Sequence, residues 1–396
     1  MTPRRIAILG AGPIGVETAA LLADREDLDI HLYEAASPGA HVRRWDHVQF
    51  FSPWEMNRSP WGEARLQASD TPLPDPADYP TGASYRQEYL QPLLNTLRPR
   101  ITLHEETSAL GVSRSAALKG DLLANPHRKE VPFLLHVRGP DGERYDTADV
   151  VIDATGVLSN PAGMGPGGLP ALGEQALNGE LLRGIPDVHG THRELLASQR
   201  ILLLGHGHSA LTTLDGLLKL REDHGDTQII WAFRTDQEPR DLIADDPLPE
   251  RARLDALGNR AARGEFPGVL PLPGSLVKRL EPRGHSVAVT LTRQDGDESL
   301  QVDRVIANVG YRPDTSLYRE LQVHLCYASD GPMKLAASLL SQSGGDCLAV
   351  DAGGPETLQN PEPNFFILGA KSYGRNSNFL LRTGFDQIAQ LPSLLG

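Results

Sequence analysis

The stretch Arg5-Ile6-Ala7-Ile8-Leu9-Gly10-Ala11-Gly12-Pro13-Ile14-Gly15-Val16-Glu17 decides the fold. A short apolar run ends in a glycine-punctuated turn. A helix-like pattern then carries Val16, Ala19, Ala20 and Ala23. Strand, G-x-G-x-x-G and helix in that order form the dinucleotide-binding fingerprint in its required context. Gly10 suits the tight turn, Gly12 leaves room for a pyrophosphate, and Gly15 lets helix and strand pack closely. The anion then meets the first turn, which Pro13 opens, where the free N–H groups from Ile14 onward and the helix dipole favour negative charge. The next apolar run, Asp29-Ile30-His31-Leu32-Tyr33-Glu34, ends in an acid nineteen residues after Gly15. A carboxylate at Glu34, followed by Ala35, can hydrogen-bond both hydroxyls of an adenosine ribose.

A second copy of the pattern begins 195 residues further on, in Arg200-Ile201-Leu202-Leu203-Leu204-Gly205-His206-Gly207-His208-Ser209-Ala210. Alanine is an accepted third member of the motif. The strand after it, Thr227 to Phe233, ends in Arg234 instead of an acid. An arginine there can pair bidentately with a 2′-phosphate, which favours NADPH, while nearby Asp236 keeps NADH in play. Two fingerprints imply two dinucleotides, most economically FAD at the first and NAD(P)H at the second, since a nicotinamide gives hydride and a flavin accepts it.

Between and after them lie weaker signals. Residues 41–62 hold three of the four tryptophans and fit neither the helical nor the strand period. Arg44 and Trp45, just after the ribose acid, are expected beside the cofactor, and the aromatic segment is expected to line a flavin or substrate cavity. Tyr85 to Leu97 reads as an amphipathic helix. Residues 107–138 read as a small antiparallel layer with a polar insertion, 119–130. Asp149 to Asp153 is a buried strand ending in Ala154-Thr155-Gly156, a tight turn suited to close approach of a cofactor. Asn160 to Pro170 reads as a linker. Near the end, Asn364 to Ala370 is a buried strand whose Gly369-Ala370 exit leads to a polar loop and a helix from Phe379.

With 396 residues, 40% hydrophobic and 22% charged, the chain is sized for two or three globular domains. A net charge of −13 argues against a nucleic-acid surface. No apolar run approaches the length of a membrane span, and nothing resembles a signal peptide, so a cytoplasmic location is expected. Cys326 and Cys347 form no C-x-x-C; both are expected as reduced thiols, at least one of them in the core. No metal-ligand spacing occurs.

These motifs resemble the two-dinucleotide-binding-domain flavoproteins, which include thioredoxin-reductase-like enzymes and class B flavin monooxygenases. The carriers are Gly10-x-Gly12-x-x-Gly15 with Glu34, Ala154-Thr155-Gly156, Gly205-x-Gly207-x-x-Ala210 with Arg234, Gly310-Tyr311-Arg312-Pro313-Asp314, and the strand ending at Gly369. The resemblance implies an α/β fold of two Rossmann-like, three-layer (ββα) domains, with the NADP domain inserted in the FAD domain. The expected segments are 1–165 and 301–396 for FAD and 166–300 for NAD(P). It implies an FAD-dependent, NADPH-oxidising enzyme, and the monooxygenase branch implies a flavin hydroperoxide delivering oxygen from O2 to a small, soft nucleophile. The alternatives are a reductase passing electrons to a protein or small acceptor, and a non-catalytic, FAD-holding sensor. Oligomeric state is left open, a homodimer among the options.

Three departures stand out. The absent C-x-x-C excludes a protein dithiol of the thioredoxin-reductase kind. The histidine motif of class B monooxygenases is degenerate at Leu182 to His192, leaving His189 as a weak candidate. Where many relatives end the last strand in Gly-Asp, the acid binding the ribityl chain, this chain has Gly369-Ala370, so that contact is expected from elsewhere; Lys371, Ser372 or the helix beginning near Asn378 could serve.

Overall fold

The computed structural model describes residues 2–177, 179–341 and 353–396. They form two compact units. The first comprises residues 1–160 and 312–396, and the second, residues 161–311, interrupts it in sequence. Strands are numbered along the chain.

In the first unit, β1 (Arg4–Leu9), β2 (Leu28–Tyr33), β3 (Thr102–His104), β7 (Val150–Asp153) and β16 (Phe365–Ile367) make a parallel sheet in the order β16-β7-β1-β2-β3. The sequence of β1 explains why it is central. Ile6 and Ile8 face one way, into a cluster with Val16, Ala19, Leu93 and Leu94, while Ala7 and Leu9 face the other, with Phe133, Leu135 and Val137. A strand apolar on both faces must be covered on both. The helix Pro13–Leu22 belongs to the first cover. An antiparallel layer of β4 (Ser108–Arg114), β5 (Phe133–Gly139) and β6 (Gly142–Ala148) forms the second. The insertion between β4 and β5 is held by a buried triad, in which Arg114 and Arg128 ion-pair Glu362 at 2.8 and 2.9 Å.

The second unit repeats the plan. β8 (Leu182–Arg183), β9 (Arg200–Leu204), β10 (Gln228–Ala232), β11 (Val269–Leu272) and β15 (Arg304–Ala307) form a parallel sheet ordered β11-β10-β9-β15-β8. Ile201 and Leu203 meet Leu214 and Leu217 of the helix His208–Asp223, and Leu202 and Leu204 meet the antiparallel layer β12 (Leu276–Arg283), β13 (Ser286–Arg293) and β14 (Gly296–Val302). Each unit is thus a three-layer, Rossmann-like domain with a parallel sheet at its centre.

Four local expectations change. Arg304–Ala307 hydrogen-bonds into the second sheet, beside β9, so the return to the first unit comes at residue 312 and not at 301. Residues 160–170 are no free linker. From Pro161 they belong to the second unit, and the buried Glu174 carboxylate accepts hydrogen bonds from the N–H groups of Met164 and Ala171 while pairing with Arg183. The expected helix from Tyr85 is α-helical over Gly82–Ser84 and Gln91–Leu97 but wider, with π geometry, over Tyr85–Leu90. Pro92 accounts for this, since it has no N–H for the preceding turn and its ring crowds the carbonyl four residues back. The last helix runs Leu381–Leu395, starting two residues later than read.

The aromatic segment is largely core, contrary to its expected place along a cavity. Trp54 is buried with Tyr85 and Tyr89, and Trp61 sets its ring against Phe385 and donates its indole N–H to the Glu17 carbonyl. Cys326 is buried and unbridged, and Cys347 lies outside the described residues.

Candidate functional sites

In the first unit, three segments converge at the carboxyl end of the sheet. The first is the Gly10–Gly15 turn. Gly10 has φ +97°, open to glycine alone without strain, and a Cβ there would stand 2.7 Å from the Ala154 carbonyl oxygen. A Cβ on Gly15 would run into the Gly10 carbonyl. Gly12 is different: nothing lies within 4 Å of its would-be Cβ. Packing inside the protein therefore demands two of the three glycines, and the third faces an open cradle. Gly12 is also the N-cap of the helix Pro13–Leu22, with Pro13 in the first turn, and it offers no capping side chain. The first-turn N–H groups stay available to an anion.

Glu34 backs this turn. Its Oε2 accepts the Ala11 N–H at 2.8 Å and its Oε1 the Ala36 N–H at 3.0 Å, so the carboxylate is pinned beside the fingerprint. Ala35 is exposed. Arg44 is exposed at the end of the short helix Ala40–Arg43, and Trp45 is half-buried, its ring 5.3 Å from Phe50. His41 feels both charges at this rim. Burial lowers its pKa, Arg44 lowers it further and Glu34 opposes them.

The second segment is Ala154-Thr155-Gly156, where Gly156 has φ +69° and open space beside it. The third is Gly369-Ala370-Lys371. A Cβ on Gly369 would press on Ile14 Cγ1 at 2.9 Å, which seats this segment against the start of the first helix. Gln387 locks it, accepting the Gly369 N–H at 2.9 Å and donating to Ser372 Oγ at 2.9 Å.

Sequence reasoning missed the pair that joins the second and third segments. Lys371 Nζ lies 2.6 Å from Asp153 Oδ2, with both side chains buried, and donates to Thr155 Oγ1 at 3.0 Å. The two residues are far apart in sequence and meet because β16 lies beside β7. The lone aspartate ending an apolar strand was the available signal. Of the other weak candidates, Asn378 is half-buried, its N–H bonded to Asn376 Oδ1.

Glu17 was also unforeseen. It is fully buried in the first helix, where Ser59 Oγ and Tyr89 OH donate to its carboxylate at 2.5 and 2.6 Å. Burial raises its pKa to about 7, and the hydrogen bonds hold it from rising further.

In the second unit the turn geometry recurs. Gly205 has φ +106°, a Cβ on it would strike the Asn308 carbonyl, and Gly207 is open and caps the helix His208–Asp223 without a side-chain bond. Ala210 is fully buried and Ser209 exposed. Arg234 is exposed just after β10. His208 Nε2 lies 3.1 Å from Asp255 Oδ1, and Arg240 donates to the same oxygen at 2.6 Å. Burial, then the charges of Arg234 and Arg240, depress the pKa of His206 and keep that ring neutral near pH 7. The fingerprint thus carries a cationic rim on an open helix N-terminus. His189 is exposed, 3.9 Å from where a Cβ of Gly216 would stand, about two and a half turns along the helix from Gly207.

Among the described residues no helix is long and apolar enough to cross a membrane, and no three His, Cys, Asp or Glu side chains are grouped to hold a metal.

No protein-family model matches the chain. Solved structures do. A bacillithiol disulfide reductase from Bacillus cereus is similar over 99% of this chain and 98% of its own, with TM-score 0.71 and 17% identity. An ornithine N-hydroxylase from Kutzneria, described with reduced FAD, NADP+ and L-ornithine, matches over 99% and 98% with TM-score 0.62 and 13% identity. A flavin-containing monooxygenase from Stenotrophomonas maltophilia matches over 100% of both chains with TM-score 0.58 and 18% identity. At these identities the likeness is one of fold.

Proposed function

We propose that the protein is an FAD-dependent, NAD(P)H-oxidising oxidoreductase, with NADPH the preferred donor and a monooxygenase reaction on a small, soft nucleophile such as an amine or a sulfur centre. The observation that carries this reading is the pair of glycine cradles, each open at its second glycine on an uncapped helix N-terminus, one backed by Glu34 and the other rimmed by Arg234.

The residues suit the two cofactors differently. At the first cradle, Gly10, Gly12, Pro13, Ile14 and Gly15 would seat the FAD pyrophosphate, with Glu34 and Ala35 at the adenosine ribose and Arg44 and Trp45 at the rim. Thr155, Gly156, Gly369 and Ala370 would flank the rest of that cofactor. Glu34 arrives oriented, because two backbone N–H groups already hold its oxygens. At the second, Gly205, Gly207, His208, Ser209 and Ala210 would seat the NADPH pyrophosphate, and the Arg234 guanidinium would take the 2′-phosphate. When bound, FAD supplies the hydride acceptor and the chemistry toward oxygen. None of the chain's own side chains need act as a nucleophile.

The lack of a C-x-x-C favours small-molecule chemistry over electron transfer through a protein dithiol. A reductase is the second reading, favoured by the fold likeness to the disulfide reductase. Rapid mixing of the NADPH-reduced protein with oxygen separates them. A monooxygenase gives a delayed reoxidation and, with substrate, one oxygenated product per NADPH. A reductase reoxidises directly to peroxide, with no oxygenated product from any amine or sulfur compound tried.

A further inference from the structure

The family resemblance implies an acid for the ribityl chain at the position of Ala370, which has no polar group to offer, and Lys371 of the buried Lys371–Asp153 pair comes directly after it. The pair's hydrogen bonds are directional. Thr155 donates its hydroxyl proton to Asp153 Oδ1 at 2.7 Å, and the same oxygen takes the Thr155 N–H at 3.1 Å. Lys371 donates into one Thr155 lone pair at 3.0 Å while its charge is balanced by Asp153 Oδ2 at 2.6 Å and lies 5.1 Å from the Tyr318 ring. A hydroxyl has one proton and two lone pairs. With the proton and one lone pair committed inward, half-exposed Thr155 can only accept on its outer side. Lysine and aspartate are both buried, so neither partner turns away to water.

We propose that the Lys371–Asp153 pair is a positioning device that fixes Thr155 as an outward-facing hydrogen-bond acceptor, and that the group it receives is a donor on the flavin half of FAD, a ribityl hydroxyl or a ring N–H. The inference rests on the first cradle being the FAD site. The chemistry narrows the partner. The pyrophosphate oxygens carry no proton to give, and the adenosine ribose hydroxyls are matched by Glu34. The remaining donors are the adenine amino group, which ADP shares, and those beyond the pyrophosphate, which ADP lacks. Where the resemblance implies an acid, this chain has a neutral acceptor, set by a buried ion pair.

The test compares FAD with ADP, which lacks the flavin half, by titrating each into protein freed of flavin. Thr155→Val keeps the shape and removes the acceptor. FAD affinity should fall about tenfold, equivalent to about 1.4 kcal/mol, while ADP affinity stays as in wild type. Thr155→Ser should recover FAD affinity to within about threefold. The neutral pair Asp153→Asn with Lys371→Met removes the donor to Thr155 without leaving a lone buried charge. It should keep ADP affinity and weaken FAD. Equal loss of FAD and ADP in Thr155→Val, or FAD bound as in wild type by that variant, overturns the inference. Wild-type protein that binds neither ligand overturns the reading of the cradle itself.

Discussion

Glu17→Gln is the substitution whose effect can be worked out furthest. The carboxyl sits at full burial, and its neighbours include the Ser59, Tyr89 and Tyr85 hydroxyls and the Trp61 indole. Burial raises its pKa from 4.5 to about 7. A carboxyl whose folded pKa is raised binds its proton more tightly in the native state. Its contribution is fully present below the unfolded pKa and is lost as pH rises through the folded one. At about 1.4 kcal/mol per unit, ionisation should remove about 3 kcal/mol between mildly acid and mildly alkaline pH. Glutamine cannot ionise and escapes that loss. It also cannot accept from both hydroxyls at once, a cost of about 1 kcal/mol. Near pH 5 the variant should therefore be slightly less stable than wild type, and near pH 8.5 more stable by about 2 kcal/mol, or roughly 4–8 °C in Tm. Thermal unfolding of both proteins at a series of pH values reads this directly. Groups common to both cancel in the difference. A difference that does not change with pH would refute the reasoning and place the proton elsewhere.

Three further substitutions test the cradles. Gly12→Ala has room for its methyl and should leave the flavin-free protein's Tm within about 2 °C while weakening FAD at least tenfold, whereas Gly15→Ala should lower Tm itself by about 4 °C or more; calorimetry and FAD titration separate the two. Arg234→Ala should weaken NADPH by roughly ten- to a hundredfold, the worth of a hydrogen bond to a charged group, and NADH much less. Equal effects on the KM of both would remove the 2′-phosphate role. Glu34→Gln should weaken FAD and ADP together, since both carry the adenosine ribose, and titration of each should give matching losses.

Much of the fold was legible because its constraints are local. β1 and β9 are apolar on both faces, so each must be covered on both, and the glycines after them mark contacts that any side chain would break. Gly12 and Gly207 were legible from the spacing of the motif, since no contact inside the protein requires glycine at either position. What the sequence hid depends on strand order and on packing. Asp153 and Lys371 meet only because β16 pairs with β7. Glu17 looks like an ordinary helix-surface acid until the aromatic segment closes over it, and that segment turned out to supply core instead of a cavity wall. Pro92, read as part of a regular helix, forces the wider turn that precedes it.

Whether the first cradle holds FAD is read from the flavin content of the purified protein, followed by titration of stripped protein with FAD. The purified protein is expected to be yellow and to carry one FAD per chain, its stripped form to take up one equivalent with FAD fluorescence altered on binding, and Gly12→Ala to bind FAD at least tenfold more weakly. Protein that is isolated without flavin and takes up none would contradict it.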